Sequence, residues 1–202
     1  MNYKDMKRAV ELLEAEWDLG AKVSGASRRL CAWIYLMEVL EETEQIVCYR
    51  ENGKLIGFSG YSKWNSKKHM LKKKFYSFVK KQLYKSKDIK DSNALKEYEV
   101  NYNYVPQDMR NYFDGELSML ILDKSYRGNG IGRKLLLKVF DLAKNDKMKN
   151  LQILTDESCS WQFYEKLGCK RVYETIVKNK EYGSFGNIIA ENAFIYEKRF
   201  DD

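Results

Sequence analysis

One proline, one histidine and no long apolar run set the first limits on this 202-residue chain. No stretch approaches 18 consecutive apolar residues, so no membrane-spanning helix and no membrane partner are expected. The opening MNYKDMKRAV has no apolar segment of the kind an export signal needs, and a cytoplasmic location is the expectation. Cys31, Cys48, Cys159 and Cys169 contain no Cys-x-x-Cys pair, and with the single His69 they compose no recognisable zinc set. Reduced packing thiols, and no metal, are expected. Internal repeats and linker-like stretches are also missing, which argues for one domain over residues 1–202.

What is present is a folding composition. Hydrophobic residues make up 44% of the chain, with 15 Tyr and 9 Phe, so a substantial core is within reach. The net charge of +7 is local. Between Ser62 and Lys96 twelve lysines face only Asp88 and Asp91, a net +10, so the rest of the chain carries −3. The basicity therefore describes one segment and not the whole protein.

Periodicity supplies the elements. Met6, Val10, Leu13 and Trp17 predict a helix over about 3–19 that Gly20 stops. Leu30, Trp33, Ile34, Met37 and Leu40 predict a second, with Ser27 as its N-cap. Residues 45–50 and 54–61 alternate around Asn52-Gly53, the strongest short hairpin signal. In residues 62–114, Leu71, Phe75, Phe78, Val79 and Leu83 recur at helical spacing, with Lys72, Lys73, Lys74, Lys80, Lys81 and Lys85 expected on the opposite, solvated face. A more polar stretch over 93–104 follows and ends before Pro106. Strand 115–122, helix 131–144, strand 150–155 and a short helix 158–167 closed by Gly168 come next. Strands 169–177 and 192–200, joined through Gly183 and Gly186, complete a mixed α/β domain on one sheet.

The most informative stretch is 117–132, LSMLILDKSYRGNGIG. A strand, a glycine-rich turn and a helix N-terminus bring backbone N–H groups and the positive end of a helix dipole to one point, an arrangement that binds phosphates. The glycines let the backbone approach a ligand closely and reach positive φ. The spacing Gly128-x-Gly130-x-Gly132 is not the dinucleotide fingerprint, and no Walker-type loop is present. A plain glycine-rich loop is the competing reading.

Arg127-Gly128-Asn129-Gly130-Ile131-Gly132 matches Arg/Gln-x-x-Gly-x-Gly/Ala, and Phe163-Tyr164-Glu165-Lys166-Leu167-Gly168-Cys169 is close to Phe-Tyr-x-Lys-x-Gly-Phe. Tyr164 stands 37 residues after Arg127, with a helix and a strand between. In these motifs the chain resembles the GNAT superfamily of acyl-CoA-dependent N-acetyltransferases, over about 45–61 and 115–200. It departs from the pattern at Cys169, where Phe is usual, and at Glu157, where Asn is frequent. The resemblance implies a mostly antiparallel sheet flanked by helices and splayed between the family's strands four and five. Its strand one would have to fit in residues 1–4, and 62–114 would be a helical insertion between strands three and four.

The resemblance further implies acetyl-CoA as co-substrate, with no metal. Leu120, Ile121 and Leu122 would present backbone groups to the thioester arm. Arg127, Gly128, Asn129, Gly130, Ile131, Gly132 and Arg133 would hold the pyrophosphate, and Ser158 and Tyr164 would complete the cofactor-binding set. Tyr164 would protonate the departing thiolate. Glu116 stands where several family members carry a base, although a purely structural glutamate is the alternative. Asp156, Glu157 and Ser158 are also near enough to assist, or Asp156 and Ser158 cap a helix. The expected reaction is acetyl transfer to a primary amine by direct attack in a ternary complex. The alternative is a non-catalytic acyl-CoA-binding module whose basic insertion contacts a nucleic acid or protein. A nucleic acid partner is not the leading expectation, and a homodimer is compatible with the aromatic content.

Overall fold

The computed structural model describes residues 1–16, 25–66, 68–87, 105–109, 111–180 and 188–200, apart from the side chains of 25–27, 177–180 and 188–191. Two helices open the chain, α1 (Tyr3–Glu16) and α2 (Gly25–Glu42). Residues 1–2 form no strand, so the short first strand of the family pattern is absent. Ser27 lies inside α2 and is not its N-cap, because the helix already starts at Gly25. Gly20 lies outside the described residues.

The hairpin follows as β1 (Gln45–Glu51) and β2 (Lys54–Lys63). Asn52 and Gly53 both take positive φ, 49° and 74°, as a tight hairpin turn requires. Next are α3 (Met70–Leu83), β3 (Gly115–Leu122), a single 3-10 turn at Lys124–Tyr126, and α4 (Ile131–Asn145). β4 (Asn150–Asp156), α5 (Gln162–Glu165), β5 (Lys170–Lys180) and β6 (Ile188–Arg199) end the fold. The expected helix over 158–167 is therefore one turn only. Residues 93–104, Gly183 and Gly186 lie outside the described set.

The six strands form one sheet in the order β1-β2-β3-β4-β6-β5, antiparallel except where β3 runs parallel to β4. On one face α1 and α2 cover Leu55, Phe58, Met119 and Ile121. On the other, α4 buries Leu136, Val139, Phe140 and Ala143 against Leu117, Leu151, Ile153 and Tyr196. These are the positions that the helical spacing of α4 marks out, and each such aliphatic or aromatic side chain removed from water contributes roughly 1.5–3 kcal/mol.

Helix α3 is rotated from its expected setting. Tyr76 is 7% exposed and packs with Val79 and Leu83 against the α1–α2 core, whereas Leu71, Phe75 and Phe78 are 84%, 58% and 60% exposed. Two lysines expected on the solvated face turn inward. Lys80 Nζ pairs with Glu41 at 2.8 Å and Glu38 at 3.4 Å, and Lys72 Nζ donates to the Thr43 carbonyl at 3.2 Å. The carboxylates on α2 thus select the stripe of Lys72, Tyr76, Val79 and Leu83 as the packed one. Among the described residues no helix is long and apolar enough to cross a membrane.

Candidate active site

β3 and β4 share a single paired register, Glu116 with Gln152, and separate beyond it. Their lower ends are pinned by Asn150, whose Oδ1 accepts the Asp114 N–H at 3.0 Å while its Nδ2 donates to the Tyr112 carbonyl at 3.1 Å. The two strands therefore make a fork, closed at the root and open towards 120–122 and 154–156. This is the splay that the resemblance implies between the family's strands four and five.

A bulge at the root sorts the side chains. In the β2–β3 register Tyr61 faces Leu117 and Gly60 faces Met119, so Ser118 is an extra residue on β3. Leu117 packs on the α4 side, Met119 and Ile121 on the α1–α2 side, and Leu120 and Leu122 again beside Ile131 and Leu135 of α4. Glu116 falls on the α2 side, where the charge of Glu42 acts on it. Burial, then Glu42, push its carboxyl up to about 7, opposed by the hydrogen bond from Gln152. That bond runs from Gln152 Nε2 to Glu116 Oε2 at 3.0 Å. Glu42 is itself pushed up by burial and by Glu38.

Tyr164 lies on the other side of the fork. It packs on the α4-side core with its ring centroid 5.8 Å from Phe163 and 6.0 Å from Tyr196. Burial, reinforced by Cys159, Cys169 and Asp156, pushes its phenol well above the usual value, so it stays protonated at neutral pH. Ser158 sits in the turn between β4 and α5. Its N–H and Oγ both donate to Asp156 Oδ1, at 2.9 and 2.6 Å, so Asp156 caps this turn and not a long helix.

The glycine loop has the geometry of an anion cradle. Gly128 and Gly130 hold φ of 83° and 72°, which L side chains rarely adopt, and Gly130 is the N-cap of the 15-residue α4. Among the described residues, the N–H groups of Gly128, Asn129, Gly130, Ile131 and Gly132 have no acceptor in the loop or on a side chain. A chain of free donors at the positive end of a helix suits a pyrophosphate. A Cβ on Gly132 would stand 3.6 Å from Phe163, which brings the Tyr164 segment against the cradle. Arg133 is exposed beside it. Arg127 is turned elsewhere: its guanidinium pairs with Glu16 at 2.5 Å, and Arg8 of the same helix pairs with Asp123 before the loop. α1 thereby braces the cradle from outside.

The fork thus gathers Glu116, residues 120–122, the glycine cradle and Tyr164, with Arg127 held by α1. Gln152, Glu42 and the Ser118 bulge are parts that the sequence reading missed. Only a polar glutamine inside NLQILT signalled the first of them. Each of the four cysteine thiols is pushed above its ordinary value, burial being the largest cause in every case, so none is a ready thiolate nucleophile.

Residues 96–169 match the model of the acetyltransferase (GNAT) family. A protein of Pyrococcus horikoshii OT3 superposes with a TM-score of 0.59 at 18% identity, covering 100% of this chain and 94% of its own. An N-acetyltransferase of Staphylococcus aureus Mu50 gives 0.56 at 15% identity, covering 98% of this chain and 94% of its own. A protein of Streptococcus mutans UA159 gives 0.56 at 15%, covering 98% and 96%. At these identities the likeness is one of fold. No protein with a curated description matches the chain.

Proposed function

We infer that this chain, whose residues 96–169 match the GNAT acetyltransferase family model, transfers acetyl groups from acetyl-CoA to a primary amine by direct attack within a ternary complex. The observation that carries the reading is the fork: Glu116 stands on its α2 side and Tyr164 on its α4 side, with the free-donor cradle on the same side as Tyr164. Bound acetyl-CoA would supply an activated acyl group as a thioester. The N–H groups of 128–132 would hold its pyrophosphate, assisted by Arg133, and residues 120–122 would line the path of its arm.

The remaining steps belong to the chain's own side chains. Glu116, with a carboxyl at about 7, takes a proton from the acceptor ammonium near neutral pH. The freed nitrogen lone pair forms the bond to the acyl carbon as the carbon–sulfur bond breaks. Tyr164 gives its hydroxyl proton to the departing sulfur, and the second proton that the new amide nitrogen sheds restores the phenol. Acid and base would thus act from opposite sides of the sheet. Screening a panel of primary amines for thiol release from acetyl-CoA tests this reading. Amine-dependent release is expected; thermal stabilisation by CoA with no release from any amine would instead mark a binding module.

A further inference from the structure

Gln152 is polar in a strand that otherwise reads NLQILT, yet it is only 2% exposed. Its neighbours Leu151 and Ile153 enter the α4-side core, and its own side chain faces the other way, onto Glu116. While Nε2 is used in the 3.0 Å bond to Glu116, Oε1 is buried with no hydrogen-bond partner among the described residues. An unpaired buried acceptor is costly, and a purely structural position would be better served by an apolar side chain of the same size. The free Oε1 therefore points to a donor that a ligand brings. Glu42 adds a second carboxyl whose charge acts on Glu116.

Resting on the acetyl-transfer reading above, we propose that Gln152 determines acceptor specificity: the acceptor binds as an unhindered primary ammonium, donating one N–H to Glu116 and a second to Gln152 Oε1. A primary ammonium has three N–H donors, enough to satisfy both acceptors at once. A quaternary ammonium of equal charge has none, and would leave Oε1 buried and unpaired. Nε2 of the same amide fixes the Glu116 carboxylate, so one side chain both aims the base and seats the nitrogen.

The test compares binding of propylammonium and N,N,N-trimethylpropylammonium in the presence of CoA, followed through the Glu116 carboxyl carbon by NMR. The wild type should prefer propylammonium by about tenfold to a hundredfold. Gln152→Met should cut that preference by about tenfold, while Gln152→Glu, which keeps an acceptor oxygen, should retain it. In both variants the Glu116 midpoint should rise, because the bond favouring its charged form is gone. Should Gln152→Met fail to fold, Gln152→Asn, whose amide is withdrawn by one methylene, serves in its place. Equal binding of the two cations by the wild type, or an unchanged preference in the variant, overturns the proposal. A wild type that discriminates but releases no thiol with any amine overturns the acetyl-transfer reading and leaves the ammonium site standing.

Discussion

The carboxyl of Glu116 is held near pH 7 by burial and by Glu42, and that placement has consequences for both rate and stability. If it is the base, kcat/KM should rise through about pH 7 and then level off. Glu116→Gln should abolish this acid limb and lower the plateau by about 10²–10⁴. An unfolded glutamate ionises near 4.3, so between about pH 4.5 and 7 the folded chain retains a proton that the unfolded chain has lost. Stability should therefore fall as pH rises through that window and flatten above it. Glu116→Gln should remove that slope, leaving the variant about 2 kcal/mol more stable at pH 8 and little changed at pH 4.5. Urea midpoints at the two pH values would measure it. As the proposed acid, Tyr164 would have the opposite task. Its phenol stays protonated, so Tyr164→Phe should lower kcat by about 10²-fold while CoA affinity moves by less than about threefold. Calorimetric titration with CoA beside initial rates separates the two effects.

The elements differ in how plainly the sequence announces them. The glycine turn is legible because its chemistry is local: Gly128 and Gly130 need positive φ, and α4 must start immediately after. Gly130→Ala should place a Cβ in that left-handed conformation at about 1–2 kcal/mol, and misalign the free N–H groups. CoA binding should weaken by about tenfold or more, as measured by calorimetry. Helix α3 was legible as a helix but not in its rotation. Of the expected stripe, Val79 and Leu83 do pack on the core beside Tyr76, while Leu71, Phe75 and Phe78 stay exposed, so two overlapping stripes were open to the helix. Hydrophobicity does not choose between them. The choice is made by Glu38 and Glu41, forty residues away, through Lys80. Tyr76→Ala should thus cost about 3 kcal/mol, whereas Phe78→Ala should stay within about 0.5 kcal/mol of wild type in urea unfolding. Matching losses at both sites would contradict this orientation.

At the scale of the whole molecule, the decisive property is that one sheet separates two approaches to the same gap. The apolar pattern of β3 and β4 predicts two neighbouring strands, but not that their pairing ends after Glu116 and Gln152, because the Ser118 bulge arises from register with β2. That bulge turns Glu116 towards α2 and Leu120 towards α4, so in the proposed reaction proton removal and thiol release would take place on different faces. Such an arrangement has no need of an enzyme-bound acyl group. The four cysteine thiols are also pushed above their ordinary value, which disfavours the thiolate form. The proposed direct attack requires both substrates to be present together. Initial rates measured against acetyl-CoA at several fixed amine concentrations should give intersecting double-reciprocal lines. Protein incubated with radiolabelled acetyl-CoA alone should retain no covalent label after denaturation. Parallel lines, or label remaining on the chain, would mean that the acyl group passes through a protein nucleophile and would overturn direct attack.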